Sequence, residues 1–262
     1  MPALDTPGFA LPAASLTPSP AVPLLRAAQV SATLSSHFLD TSPRAIVDQG
    51  VVQCCVSCAL GAAMEIAHRD WPALAPLFHY WVTANLAHGA DASALLRLDD
   101  ALATLTAQGI CTHALHDVDQ SQPYTLPMAA IRPSPQAFAD GLQHTIKRVQ
   151  LRFRYLRLAG PSWVNAIRDE IRRNRPVVIG FHLPQNYAAD RFLDSRFEWN
   201  DLQRVPMTDS GHCVVVTGYD DSRPALRIVD SQGLNRTGGG VWWMGYRLAD
   251  AGVIQDACSI FA

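Results

Sequence analysis

Residues 48–66 read Asp-Gln-Gly-Val-Val-Gln-Cys-Cys-Val-Ser-Cys-Ala-Leu-Gly-Ala-Ala-Met-Glu-Ile, and they place a cysteine at the mouth of an apolar helix. Ala59, Leu60, Ala63, Met64 and Ala67 recur at helical spacing, which gives a helix starting near Cys55 one face to bury. Gly50 marks a turn ahead of it. A thiol at that mouth meets the unpaired N–H groups and positive end of the helix, which favour thiolate. Free cysteine is among the most buried residue types, so Cys55 alone would read as packing. Gln49 changes that reading. Its amide lies six residues ahead and, with the Cys55 backbone N–H, can hold the oxyanion formed when the sulfur attacks a carbonyl.

The 262 residues suffice for two intimately packed lobes around a sizeable core. With 48% hydrophobic and 17% charged residues and a formal net charge of −2, the chain has no basic footprint, and nucleic acid is not an expected partner. No apolar run reaches the length that crosses a membrane. The first 23 residues carry six of the 18 prolines and lack the basic start and apolar core of a signal peptide. Cys54 and Cys55 are adjacent and Cys58 is a turn further on, so the six cysteines form no secreted disulfide framework. These features predict a cytoplasmic protein, or one exported without a Sec-type signal peptide. A zinc site on Cys54, Cys55 and Cys58 is the rival reading, but no second ligand pair supports it, and no metal or cofactor is expected.

Residues 1–35, rich in Pro, Ala and Ser, form an N-terminal extension that is either a disordered linker or a strap over the body. The helix from Cys55 should stop near Asp70, Trp71 and Pro72. A second starts at Pro76, with Leu77, Phe78, Tyr80 and Trp81 as core. Leu95, Leu98, Leu102 and Leu105 mark a third, ended by Gly109. Residues 111–135 show little periodicity and cross between lobes. Ser162 can cap a helix that turns Val164, Ile167 and Ile171 inward and Arg168, Arg172 and Arg173 to solvent. Pro176–Leu183, Cys213–Val216 and Ala225–Val229 read as buried strands. Helices first and strands afterwards predict an α+β protein. Its helical lobe, about 48–120, would carry the nucleophile and its β-rich lobe, about 121–262, the base.

The Asp48-Gln49-Gly50 turn, the cysteine six residues after Gln49 and the small-residue helix reaching Glu65 resemble the papain family of cysteine peptidases, in particular its prokaryotic branch without a recognisable propeptide. Gly211-His212-Cys213-Val214-Val215-Val216 is similar to the family's histidine strand, and Gly218-Tyr219-Asp220 to the turn that ends it. Leu226–Gly233 stands where the family has a strand ending in Asn-Ser-Trp-Gly, and Gly238–Met244 resembles the glycine turn and aromatic strand that follow. The resemblance implies a two-lobe fold and a peptide or protein substrate cut through a Cys55 thiolate and an acyl-enzyme. His212 would be the base, Asp230 would orient it and Gln49 would hold the oxyanion. Gly89 and Gly211 are the candidates for contacting substrate backbone, and oligomeric state is left open.

Several residues depart from the family pattern. Asp230 replaces asparagine, and its charge favours the protonated imidazole more strongly. Val56 replaces the usual tryptophan after the cysteine. Gln232 replaces the tryptophan that shields the histidine's bond, which predicts a wetter bond. Gln53 and Cys54 stand where Gly and Ser are common. Two rivals keep the fold: an acyltransferase or peptide ligase, and a catalytically silent protein binding a partner peptide. A third, the transglutaminase-like group, shares the order Cys, His, Asp, but the Gln49 spacing favours papain.

Overall fold

A proline opens several of the helices of this chain. The computed structural model describes residues 35–39, 42–89, 93–116, 122–156, 162–184, 207–234 and 239–262; the N-terminal extension lies almost wholly outside them. Helix α1 spans Cys55–Ala67. Helix α2 spans Pro76–His88, with proline in its first turn, where a missing N–H costs nothing, and Gly89 as its left-handed cap. Helix α3 runs Leu98–Ala107, starting three residues later than the leucine spacing suggests, and Gly109 follows at φ +71°.

Helix α1 is buried on nearly every face because it lies between the other two helices and the sheet. Its partner contacts are polar as well as apolar. Ser57 Oγ lies 2.9 Å from His79 Nδ1 on α2, and His79 Nε2 lies 3.0 Å from the Ala101 carbonyl on α3. A carbonyl only accepts, so Nε2 carries the proton and Nδ1 accepts from the serine. One neutral imidazole therefore ties all three helices. The Glu65 carboxylate accepts from the backbone N–H groups of Arg44 (2.6 Å) and Leu74 (2.8 Å), and burial pushes its carboxyl up to about 7.

Residues 122–150, expected in the β-rich lobe, pack instead on the helices. Two short helices, α4 (Leu126–Ala129) and α5 (Pro135–Gly141), lie here. The Phe138 ring of α5 meets Phe78 edge-on at 5.5 Å, and Ile146 N–H bonds to the Leu105 carbonyl. The chain enters the sheet only afterwards.

That sheet has seven strands among the described residues, all antiparallel. They are β1 (Ser36–Phe38), β2 (Arg152–Tyr155), β3 (Val177–Pro184), β4 (Met207–Asp220), β5 (Ala225–Val229), β6 (Val241–Gly245) and β7 (Ile254–Phe261). The order is β2-β7-β3-β4-β5-β6, with β1 added to the far end of β4. Gly218 and Tyr219, expected to turn the chain after the histidine strand, still belong to β4, and the turn comes at 221–224. The register slips between Val216 and Gly218, and a Cβ on Gly218 would stand 2.5 Å from the Phe38 ring. The glycine is there to admit β1 rather than to make a turn.

Helix α6 (Trp163–Arg172) packs on this sheet as expected, with Ser162 Oγ accepting from Asn165 N–H at 3.2 Å. Its arginines are not a merely solvated face. Arg168 donates to Asp221 at 2.6 Å and lies over the Tyr219 ring, and Arg172 donates to the Tyr219 hydroxyl at 2.9 Å. Arg173 joins Arg154 and Arg175 around the Glu170 carboxylate, which has no exposed surface. A carboxylate sealed under the helix requires cationic partners, and these arginines supply them.

Burial lowers His79 from the usual 6.5 to about 4. Unfolded chain therefore binds a proton below about pH 6.5 that folded chain refuses until about pH 4, and stability falls as pH drops across that window, by about 3 kcal/mol. Glu65 acts in the opposite sense. Denaturant unfolding of wild type and His79→Gln at each pH removes the Glu65 contribution, and the gap between them should narrow steadily from pH 7 to pH 4.

Candidate active site

The start of α1, strands β4 and β6 and the end of β5 meet around Asp230: its carboxylate bonds to His212 and lies near enough to Cys55 to act on its thiol, and the next residue, Ser231, bonds to Gln49. Gly50 (φ +52°) makes the tight turn after Gln49, and a Cβ there would stand 2.3 Å from the Tyr124 carbonyl. Only glycine allows that approach. Asp48 bridges to Gln232 and Gln49 N–H bonds to the Ser231 carbonyl at 2.8 Å, so the turn before α1 is fastened to the end of β5. The helix lobe and the sheet lobe are joined at the site itself.

His212 sits on β4 opposite Phe181 of β3. Its Nε2 lies 2.8 Å from Asp230 Oδ1. Asp230 Oδ1 also accepts from Ser231 N–H (2.7 Å), and Oδ2 accepts from the Trp242 indole N–H (2.9 Å). Both side chains of the pair are without exposed surface. The bond expected to be wet is dry: Gln232 is buried, Trp242 closes over the carboxylate, and Phe181 packs edge-on to the His212 ring at 5.9 Å. Trp242 thus takes the part of the tryptophan that Gln232 displaces. Sequence reasoning missed it because strand alternation shows only that one of Trp242 and Trp243 faces inward, not which acceptor its N–H will find.

Cys55 opens α1 and has no exposed surface. The Cys213 backbone N–H, next to His212 on β4, reaches its sulfur and favours thiolate, as does the Val56 N–H. Burial outweighs both and pushes the thiol well up, with the nearby Cys58 and Asp230 adding to the rise. The expectation that the helix mouth alone makes a thiolate is therefore corrected: removing water from a charge costs more than the half-charge of a helix end returns. Cys54 Sγ lies 3.6 Å from Cys58 Sγ, both buried, and burial also raises Cys54 strongly. Among the described residues no group of three or more His, Cys, Asp or Glu is placed to hold a metal ion, and no helix among them is long and apolar enough to cross a membrane.

Gln49 is fixed at both ends of its amide. Oε1 accepts from Ser231 Oγ at 2.5 Å, and one N–H donates to the Val52 carbonyl at 3.0 Å. Gly211 precedes His212 on β4 and pairs with His182. Gly89 stands apart: its φ of +69° is explained by capping α2, and among the described residues nothing links it to Cys55 or His212.

This architecture is the papain-like cysteine peptidase fold. The structure is similar to xylellain, a cysteine protease from Xylella fastidiosa, with a TM-score of 0.77 at 20% identity over 99% of this chain and 97% of that one. It is similar also to digestive procathepsin L 3 of Tenebrio molitor (TM-score 0.62, 16% identity, 90% of this chain and 72% of that one). A third likeness is to the Carica candamarcensis protease CMS1MS2 in complex with E-64 (TM-score 0.55, 16% identity, 86% and 96%). At these identities the likeness is one of fold. The model of the Peptidase_C39 like family matches residues 116–244, a span that holds His212 and Asp230 but not Gln49 or Cys55. No curated protein matches the chain.

Trp242→Phe keeps the cover but removes the N–H, which leaves Asp230 Oδ2 buried without its donor. Denaturant unfolding should show a loss of about 1–3 kcal/mol. A variant as stable as wild type would show that the indole N–H is not needed by the carboxylate.

Proposed function

We propose that this chain is a cysteine peptidase that hydrolyses peptide bonds through Cys55. The observation that supports the proposal is the dry His212–Asp230 bond, whose carboxylate acts on the Cys55 thiol and whose histidine precedes the Cys213 N–H that meets the Cys55 sulfur. An ionised carboxylate only accepts, so the bond fixes the His212 proton on Nε2 and leaves Nδ1 as the ring nitrogen able to take a proton from sulfur. Transfer from Cys55 to Nδ1 converts a thiol that burial holds neutral into a thiolate paired with an imidazolium. Asp230 then balances the imidazolium without exposure to water.

The thiolate adds to the peptide carbonyl carbon, and negative charge develops on the carbonyl oxygen. The Cys55 backbone N–H and the second N–H of Gln49 are the donors for that charge. Collapse expels the amine, which takes the proton from His212 Nδ1, and leaves an acyl group on Cys55. His212 then accepts a proton from water as the water attacks the thioester, releasing the acid and restoring the thiol. Cys55, His212 and Gln49 have no exposed surface, so reaction with a peptide requires the cover over the sulfur to move. The rate of labelling by a peptide-like epoxide reads that motion together with the chemistry.

Peptide mapping after labelling should find the epoxide on Cys55, with none in Cys55→Ala. In His212→Ala the rate near pH 7 should fall by about a hundredfold or more, the usual size of a lost general base. Mass spectrometry of the products, with and without an added amine, should show the free acid as the main product. Labelling confined to Cys54 or Cys58, or an unchanged rate in His212→Ala, would overturn the assignment. Predominant amide product would make the chain an acyltransferase.

A further inference from the structure

Two thiols that the proposed mechanism does not use flank Cys55 in the chain. Cys54 Sγ and Cys58 Sγ are in contact at 3.6 Å, and neither is in a disulfide. Cys58 belongs to α1, and its backbone N–H donates to the Cys54 carbonyl at 3.0 Å. Cys54 stands just ahead of the helix, with φ −100° and ψ 17°, and its side chain makes no capping hydrogen bond. The pair thus spans the first turn of α1, with one sulfur fixed inside the helix and the other outside it. Among the described residues no third ligand stands with them to hold a metal ion, so the chemistry open to the pair is that of two thiols.

Access singles out Cys58. Cys54 and Cys55 have no exposed surface, whereas 5% of Cys58 is exposed. Cys58 lines a crevice with Pro43, Ile46, Ala59 and Asp230, and the free space in it is ≈ 20 Å³. One water needs roughly 10–15 Å³ of such space. A molecule as small as hydrogen peroxide can therefore meet the Cys58 sulfur while Cys55 stays covered.

We propose that Cys54 and Cys58 form a peroxide-sensitive thiol pair whose disulfide turns the neighbouring site off. The Cys58 thiolate attacks one oxygen of hydrogen peroxide, the O–O bond breaks, and the departing hydroxide takes the proton that Cys58 released, giving one water and a sulfenic acid on Cys58. The Cys54 sulfur then attacks the Cys58 sulfur, the S–O bond breaks, and the hydroxyl leaves with the Cys54 proton as a second water. The thiols lose two electrons and two protons, and the peroxide gains both. The effect on the site follows from geometry. Side chains four positions apart on a helix hold their Cβ atoms about 5–6 Å apart, and a disulfide holds them at about 4 Å. That adjustment falls on Cys54, since Cys58 is held within α1. The peptide joining Cys54 to Cys55 carries the Cys55 N–H, the oxyanion donor of the proposed mechanism, and moves with it. A misplacement of about 1 Å in a reacting site costs about a hundredfold in rate. The effect on activity rests on the peptidase reading above; the disulfide itself does not.

Treating the protein with hydrogen peroxide, alkylating the remaining thiols in denaturant and digesting without reduction tests it. Mass spectrometry of the peptide between Arg44 and Arg69 should find a disulfide joining Cys54 to Cys58, with Cys55 alkylated. The rate of epoxide labelling at Cys55 should fall by about tenfold or more in the oxidised protein. In Cys58→Ala, compared only with its own untreated sample, the rate should hold. No disulfide, a disulfide that engages Cys55 or Cys213 instead, or an unchanged labelling rate once Cys54 and Cys58 are joined would overturn the proposal and leave the peptidase reading standing. A Cys55 that takes no epoxide even in the reduced protein would defeat the peptidase reading and the effect on activity together, and the mapped peptide would still decide whether the pair is joined.

Discussion

A carboxylate shut away from water must have each oxygen satisfied, and the Asp230 carboxylate imposes that requirement on three elements of this fold. Its oxygens take hydrogen bonds from His212 on β4, from the Ser231 backbone just after β5 and from Trp242 on β6. These elements can supply them only when β4, β5 and β6 are paired in their observed register. Ser231 then reaches across to Gln49, so the same short segment that satisfies the carboxylate also fastens the turn ahead of α1. Sheet register, lobe docking and placement of the sulfur are consequences of one buried charge being accommodated.

The same burial explains the resting chemistry. In a site with water, a helix end would be enough to lower a thiol, and an exposed cysteine at the mouth of α1 would be reactive unaided. Here the sulfur is dry, and its neutral form is favoured in spite of two backbone N–H groups directed at it. In the proposed mechanism, reactivity depends on the imidazole rather than on the helix. A buried thiol of this kind is held neutral until a base takes its proton.

Much of this arrangement was legible in the sequence because its signals are local. Cys55 follows a turn and precedes a run of small residues, His212 opens a valine strand, and Asp230 ends one; each position is set by neighbours within a few residues. Ser162 as a cap and Pro76 as a helix start are of the same kind. What was not legible depends on residues distant in the chain. The N–H of Trp242 acquires its role from a carboxylate on another strand, and a dry His212–Asp230 bond could not be read from the absence of a tryptophan at 232. The residues that follow Gly218 continue as strand because β1 arrives from far upstream to pair there. Arg168, Arg172 and Arg173 look solvated until Asp221, Tyr219 and Glu170 are placed beneath them.

The account turns on the proton of His212 being held at Nε2 by Asp230, so that Nδ1 is the nitrogen that takes the Cys55 proton in the proposed mechanism. Nitrogen NMR of histidine-labelled protein reads this directly, since protonated and unprotonated ring nitrogens resonate far apart. With Asp230→Ala used to assign the signal, the account predicts that His212 Nε2 carries a proton in the wild-type protein at every pH at which it is folded, with that proton shielded from exchange with water. A neutral His212 with its proton on Nδ1, or an Nε2 proton that exchanges as freely as that of a surface histidine, would contradict it.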